Sequence, residues 1–162
     1  MKNTRFLIAS GGTGGHFYPG FALGKSLHQN GAEVLFAVRR DDPAIKILAA
    51  NGLNYTEIDL TGLPRSINPV RQARFLAKLI NSLRQTRQII KKFAPQVTVG
   101  MGGYVSFPLI LCSHGKNIKT VVHESNAIWG LSNKICAYFA DLPLMGLPMK
   151  NTFKKAVLVS TP

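Results

Sequence analysis

Apolar residues in this chain gather into short unbroken runs, and between the runs they recur every three or four positions. RFLIAS (residues 5–10) is the first run, and EVLFAV (33–38), NYTEIDL (54–60), QVTVG (96–100) and KTVVHE (119–124) repeat the theme. Runs of that length predict buried strands, and the three-to-four spacing between them predicts helices. Three helical segments share one stop signal. Asn30-Gly31, Asn51-Gly52 and His114-Gly115 each put a glycine where a helix ends, and a strand follows within a few residues. An Asn-Gly pair can also form a hairpin turn, but helix-length segments precede both pairs here. Steady alternation of this kind predicts an α/β fold, a Rossmann-like parallel sheet with helices on both faces. The continuous apolar strands fit, because parallel strands are buried on both sides. A last run, KAVLVSTP (155–162), predicts one more strand, with Pro162 turning the chain into something further. We read residues 1–162 as one domain without repeats or linkers, and as half of a larger protein.

Ligands of open parallel sheets collect beyond the carboxyl ends of the strands. Two glycine-rich loops fall there, SGGTGGHFYPG (10–20) and GMGGYVSFP (100–108). Glycine lets a ligand approach the backbone, and loop amides followed by a helix N-terminus make an anion site. Pro19 suits the first turn of such a helix. Gly11, Gly12, Gly14 and Gly15 therefore most simply cradle a phosphate or pyrophosphate; the plain alternative is a tight turn that lets helix and strand pack. Two familiar loops are excluded. A Walker A loop ends in Gly-Lys-Ser/Thr, where this chain has Gly15-His16-Phe17, and a G-x-G-x-x-G loop starting at Gly12 would need glycine where Phe17 stands. This disfavours NAD-dependent and nucleotide-hydrolysing enzymes. A second loop on a neighbouring strand end points to a diphosphate, or to two phosphorylated substrates.

His16 stands where the first helix begins. A histidine there is either a base that takes a proton near neutral pH or a loop residue that only hydrogen-bonds a carbonyl. VVHESN (121–126) brings His123, Glu124, Ser125 and Asn126 to the end of another strand. His-Glu alone lacks the H-E-x-x-H partner that a metal reading needs. These groups either hydrogen-bond a substrate, orient His16, or cap a helix near Ile128.

Composition narrows the partners. With 20 Lys and Arg against 7 Asp and Glu, the formal net charge is +13. That excess points to nucleic acid, a phosphorylated ligand or an acidic membrane surface, beside the plain role of a solubilising surface. A hydrophobic share of 46% excludes a disordered chain. Cys112 and Cys136 are far apart and read as reduced core thiols. No apolar run approaches the ~20 residues of a spanning helix, and the first run is too short for a signal peptide. The chain is expected to be soluble or to lie on a membrane without crossing it.

Residues 69–93 gather much of the charge. Apolar positions at Val70, Phe75, Leu76, Leu79, Ile80, Leu83, Ile89, Ile90 and Phe93 are spaced mostly three and four apart. Between them stand Arg71, Arg74, Lys78, Arg84, Arg87, Lys91 and Lys92, with no acid. Such a helix lies on anionic lipid or serves as a crossover helix with a solvated basic face. Both hold if its C-terminal turns pack on the sheet while residues 65–79 touch lipid. No nucleic-acid recognition module is visible.

Together the glycine loops and the HESN segment resemble the N-terminal half of the MurG family of bacterial glycosyltransferases, over nearly the whole chain. The three motifs in this order and at these separations are specific; each alone is weak. The resemblance implies the N-terminal acceptor domain of a GT-B glycosyltransferase. It implies transfer of N-acetylglucosamine from UDP-GlcNAc to lipid I, the undecaprenyl-pyrophosphoryl-MurNAc-pentapeptide. The product is lipid II, made with inversion and with no metal or other cofactor. It also implies a peripheral location at the cytoplasmic face of the bacterial cell membrane. His16 becomes the candidate general base. Thr13, Gly14, Gly15 and Asn126 fall to the UDP-GlcNAc side; Gly12, Gly102, Gly103 and Tyr104 fall to the acceptor pyrophosphate. His123 and Glu124 stand at the site edge, and Arg71, Arg74, Phe75, Lys78 and Leu79 face the membrane. Most donor contacts are expected in a C-terminal domain missing from these residues, so the chain alone should be inactive. The alternative is a non-catalytic acceptor-binding subunit of a split glycosyltransferase.

Overall fold

A computed structural model describes residues 2–64, 68–150 and 152–161. The elements alternate as β1 (Arg5–Ala9), α1 (Gly14–Gln29), β2 (Glu33–Arg39), α2 (Ala44–Ala50), β3 (Asn54–Ile58), α3 (Pro69–Phe93), β4 (Val97–Gly100), α4 (Gly103–His114), β5 (Lys119–Glu124), α5 (Leu131–Phe139), β6 (Leu142–Met145) and β7 (Val157–Leu158). Among the described residues one sheet forms, in the order β3-β2-β1-β4-β5-β6-β7, with every pairing parallel. The order reverses between β1 and β4. Each of these strands leads into one glycine loop, so the two loops flank the crevice where open α/β sheets hold ligands.

Period-two alternation along β1 divides the core. Ile8 faces one side with Phe36, Phe17, Leu27 and Leu48 from β2, α1 and α2. Leu7 and Ala9 face the other, with Ile90 of α3 and Leu109 of α4. Phe36 is fully buried, a burial that contributes about 1.5–3 kcal/mol. Helix α1 can approach Phe36 because Gly24 faces it: a β-carbon there would sit 2.8 Å from the ring's Cε2 and 3.2 Å from Ile8 Cδ1.

The helix stops are only partly those of the glycine rule. Gly31 (φ +83°) and Gly52 (φ +65°) take the left-handed conformation. Asn30 and Asn51 add a side-chain bond back to Ser26 O (2.8 Å) and Ile47 O (2.9 Å). Gly115 instead stays right-handed at φ −65°, and Asn117 takes the positive φ (+55°). That helix end therefore unwinds two residues later than the dipeptide implies.

Two strands differ from expectation. β6 escapes a periodicity reading because it is short and contains Pro143, which lacks an N–H for the ladder. It is tolerated because β7 pairs only with Leu144 and Met145. The expected strand over 155–162 shrinks to those two paired residues, and Pro162 lies outside the described residues.

Helix α3 begins with Asn68, whose side chain accepts from Val70 N (2.9 Å) and Arg71 N (3.4 Å), and with Pro69 at its first position. Its C-terminal half packs inward through Ser82, Thr86 and Ile90. Its N-terminal half leaves Val70, Leu76 and Ile80 exposed. Among the described residues no helix is long and apolar enough to cross a membrane.

Candidate functional site

The two glycine loops meet on the His16 ring. Gly11 (φ +133°) and Gly12 (φ +82°) turn the chain out of β1, and Thr13 is the N-cap of α1. Gly102 (φ +111°) turns it out of β4 into α4. A β-carbon on Gly102 would lie 2.5 Å from His16 Cδ2 and 2.7 Å from Nε2, so the imidazole occupies the space a side chain would need. His16 Nδ1 lies 3.1 Å from Thr13 Oγ1. A third loop joins them: Ser132 Oγ, at the start of α5, donates to Gly103 O at 2.7 Å.

A cavity of about 320 Å³ opens over this junction, lined by Gly11, Gly12, Thr13, His16, Gly102, Gly103 and Tyr104. Neither α1 nor α4 has a side-chain cap; His16 N donates to Thr13 O (3.1 Å) and Gly102 N to Ser106 Oγ (3.1 Å), and the other first-turn amides, which have no partner within a helix, are left for a ligand. Both helix starts favour negative charge. Arg39, at the end of β2, also lines the cavity. Sequence reading passed over it among 20 Lys and Arg. The usable signal was its place at the carboxyl end of a strand next to β1.

Some expected residues stand differently. The Gly12 amide already donates to the Asp42 carboxylate at 2.8 Å, which removes one donor from the anticipated phosphate cradle. Asp42 comes from the β2–α2 turn and also accepts from Ala44 N (3.0 Å). Gly14 lines a separate cavity beside Asp42, of about 170 Å³, together with Thr13. Gly15 and Asn126 line neither cavity.

Glu124 and His123 are buried rather than set at an edge. Glu124 accepts from Asn126 N (3.0 Å), Asn126 Nδ2 (2.7 Å), Gly130 N (2.9 Å) and Asn133 Nδ2 (2.9 Å). It therefore organises the β5–α5 loop, while the helix anticipated near Ile128 begins only at Leu131 and has no side-chain cap. Burial opposes its ionisation, yet the hydrogen bonds from Gly130, Asn133 and Asn126 prevail and hold the carboxyl below its ordinary value. Glu124 and His16 both line a further cavity of about 190 Å³, but every hydrogen bond of Glu124 named above goes to its own loop and α5. Burial pushes His123 below the ordinary histidine range, against the pull of Glu124. Its Nδ1 lies 3.3 Å from Ser125 Oγ, and its Nε2 is buried without a partner among the described residues.

The basic helix divides as well. Arg71 and Arg74 are exposed, whereas Phe75 and Leu79 are half-buried and turn toward the body of the domain. Lys78 reaches Asp59 at 3.0 Å. Arg65, the expected start of the lipid-facing stretch, lies outside the described residues.

Known proteins resemble this chain in sequence and fold. Residues 6–143 match the family model described as the glycosyltransferase family 28 N-terminal domain. The UDP-N-acetylglucosamine–N-acetylmuramyl-(pentapeptide) pyrophosphoryl-undecaprenol N-acetylglucosamine transferase of Elusimicrobium minutum is 56% identical over 98% of this chain and 44% of its own length. A relative of the same name from Desulfitobacterium hafniense is 36% identical over 89% of this chain and 39% of its own. The chain thus spans less than half the length of these curated relatives. The crystal structure of Acinetobacter baumannii MurG superposes with a TM-score of 0.86 at 23% identity, over 98% of this chain and 46% of that one. A glycosyltransferase from Rickettsia africae superposes at 0.69 with 14% identity, over 99% and 43%. The fold is that of the N-terminal half of a GT-B glycosyltransferase.

Proposed function

Since the chain belongs to the glycosyltransferase family 28 N-terminal domain family, we propose that it forms the acceptor-binding half of an enzyme making lipid II. That enzyme moves N-acetylglucosamine from UDP-GlcNAc to a pyrophosphoryl-undecaprenol-linked MurNAc-pentapeptide, the reaction named for the relatives. The observation that carries this reading is the His16 imidazole held between two uncapped helix starts, facing one cavity.

In this reading His16 is the base. With its Nδ1 proton on Thr13 Oγ1, Nε2 holds the lone pair. The acceptor C4 hydroxyl gives its proton to Nε2, and its oxygen attacks the anomeric carbon of the donor. The bond from that carbon to the UDP oxygen breaks, and UDP leaves with the electron pair. Direct displacement inverts the anomeric centre. The acceptor diphosphate lies at the start of α4, against Gly102, Gly103 and Tyr104, with Arg39 adding charge and Gly12 supplying space rather than its amide. Thr13, Gly14, Gly15 and the Glu124-held Asn126 face the donor. The amides at the start of α4 carry the charge of the acceptor diphosphate. Arg71, Arg74 and the exposed Val70, Leu76 and Ile80 rest on the anionic cytoplasmic face of the membrane, as a peripheral contact.

The test joins this chain to the C-terminal remainder of the Elusimicrobium minutum relative and measures labelled GlcNAc transfer to a lipid-linked acceptor. The fusion is expected to turn over, and His16→Ala to lower kcat by ~10²–10⁴-fold. Equal turnover by the 162-residue chain alone would overturn the half-enzyme reading, and a loss under tenfold in His16→Ala would remove the base.

A further inference from the structure

We propose that the apolar cavity beside the glycine loops seats the first isoprene units of the acceptor lipid, so that the domain binds the hydrocarbon as well as the diphosphate. This inference rests on the acceptor reading above. The cavity, of about 220 Å³, lies between the N-terminal halves of α3, α4 and α5. Leu63, Phe75, Leu79, Phe107, Leu131 and Ile135 wall it, and among the described residues no charged side chain does. In a chain of net charge +13 that is a selective exclusion. Lys78, one turn along α3 between Phe75 and Leu79, is drawn off to Asp59.

Position identifies the occupant. The apolar cavity and the glycine-loop cavity share Leu60 and Tyr104. The Tyr104 ring rests on Gly62, where a β-carbon would come within 2.7 Å of Cε2, and so stands as the partition between the two. Ser132 ties the apolar wall to the second loop through Gly103 O at 2.7 Å. A ligand spanning both must carry charge and hydrocarbon within a bond or two of each other. A prenyl diphosphate does so, because its phosphate is esterified to the end of the chain. Size limits how much enters: an apolar cavity of about 150 Å³ takes a benzene ring, so this one admits one or two five-carbon units. Leu63 and Ile135 at its wall are partly exposed, 46% and 39%, leaving a way out for the rest of the chain.

The experiment titrates the 162-residue chain with inorganic pyrophosphate, geranyl pyrophosphate and farnesyl pyrophosphate by calorimetry. Affinity is expected to rise at least tenfold from pyrophosphate to geranyl pyrophosphate and under threefold from geranyl to farnesyl. Leu63→Ser and Ile135→Ser, both at partly exposed positions, should each erase most of the tenfold gain. They should leave pyrophosphate affinity, the circular dichroism melt and binding to phosphatidylglycerol vesicles unchanged. Pyrophosphate binding with no gain from the prenyl chain would overturn the cavity and leave the acceptor reading standing. Failure of all three ligands to bind would overturn both. A gain that survives in both variants would put the hydrocarbon elsewhere. Variants that lose vesicle binding instead would assign the cavity to membrane acyl chains, and variants that dissociate a dimer would assign it to a second copy; either overturns the proposal.

Discussion

The imidazole of His16 lies against the α-carbon of Gly102, although 86 residues separate them in the chain. A single methyl group at 102 would stand 2.5 Å from Cδ2. The second glycine loop thus sets the position of the side chain carried by the first. Gly102→Ala is expected to push the ring off its seat, and φ +111° at that position resists the new side chain as well. Misplacing a catalytic group by about 1 Å can cost ~10²-fold. The fused enzyme carrying Gly102→Ala should lose kcat on that scale while its circular dichroism spectrum stays native. Unchanged kcat would separate His16 from the chemistry.

Glu124 holds the β5–α5 loop by four hydrogen bonds on one carboxylate. Glutamine in its place must turn an NH₂ toward a donor. Hydrogen bonds to a charged group contribute about 1.5–3 kcal/mol each way of breaking them, so Glu124→Gln should destabilise the domain by about that much in urea unfolding. If Asn126 faces the donor, the same variant should also raise the KM for UDP-GlcNAc in the fusion. A melt identical to the parent would contradict the loop-organising role.

Acid should unfold the domain in two stages. Three groups sit below their ordinary values in the fold: His123 through burial, Glu124 through its hydrogen bonds, which outweigh burial, and Asp141 through its hydrogen bonds from Thr120. For a lowered value the unfolded chain binds the proton first, so stability is full above the unfolded value and falls as pH drops through the folded one. Loss should begin below about pH 6.5 with His123 and continue below about pH 4.3 with Glu124 and Asp141. Thermal melts from pH 8 to pH 3 check this. His123→Phe should flatten the upper stage, and a parent Tm independent of pH over that range would refute these assignments.

Membrane contact through α3 should depend on Arg71 and Arg74 rather than on Lys78, which Asp59 engages. Each exposed basic residue near anionic lipid contributes about 1 kcal/mol. Replacing Arg71 and Arg74 together by Gln should weaken binding to phosphatidylglycerol vesicles roughly 30-fold at low salt. Added salt should weaken the parent in the same direction. Sedimentation with vesicles measures both, and indifference to salt would remove the electrostatic contact.

Gly24 lets α1 pack onto Phe36. Gly24→Ala raises helix propensity, but it inserts a methyl group into the edge of a fully buried ring. Overpacking typically costs 1–3 kcal/mol, and it should prevail over the propensity gain. A chemical melt showing a more stable variant would mean that the helix can shift away from the sheet.

What the sequence determined by itself was local in origin. Strand and helix alternate at the predicted places because apolar spacing reflects which face each element buries. The glycine loops lie at strand ends because positive φ is read directly from residue type, as at Gly12 and Gly102. The order of the three motifs was enough to place the chain in its family. Only the tertiary structure decided which partners these residues take. The Gly12 amide goes to Asp42, 30 residues away. Glu124 takes its hydrogen bonds from its own loop and from Asn133 of α5. Phe75 and Leu79 turn inward and Lys78 reaches across to Asp59, although the helical spacing fits an outward face equally well. Pro143 sits in a strand because the neighbouring strand is too short to need its N–H. Periodicity says that a face is buried, but not against what. That depends on the sheet order, which sets β1 beside β4 and so brings His16 onto Gly102.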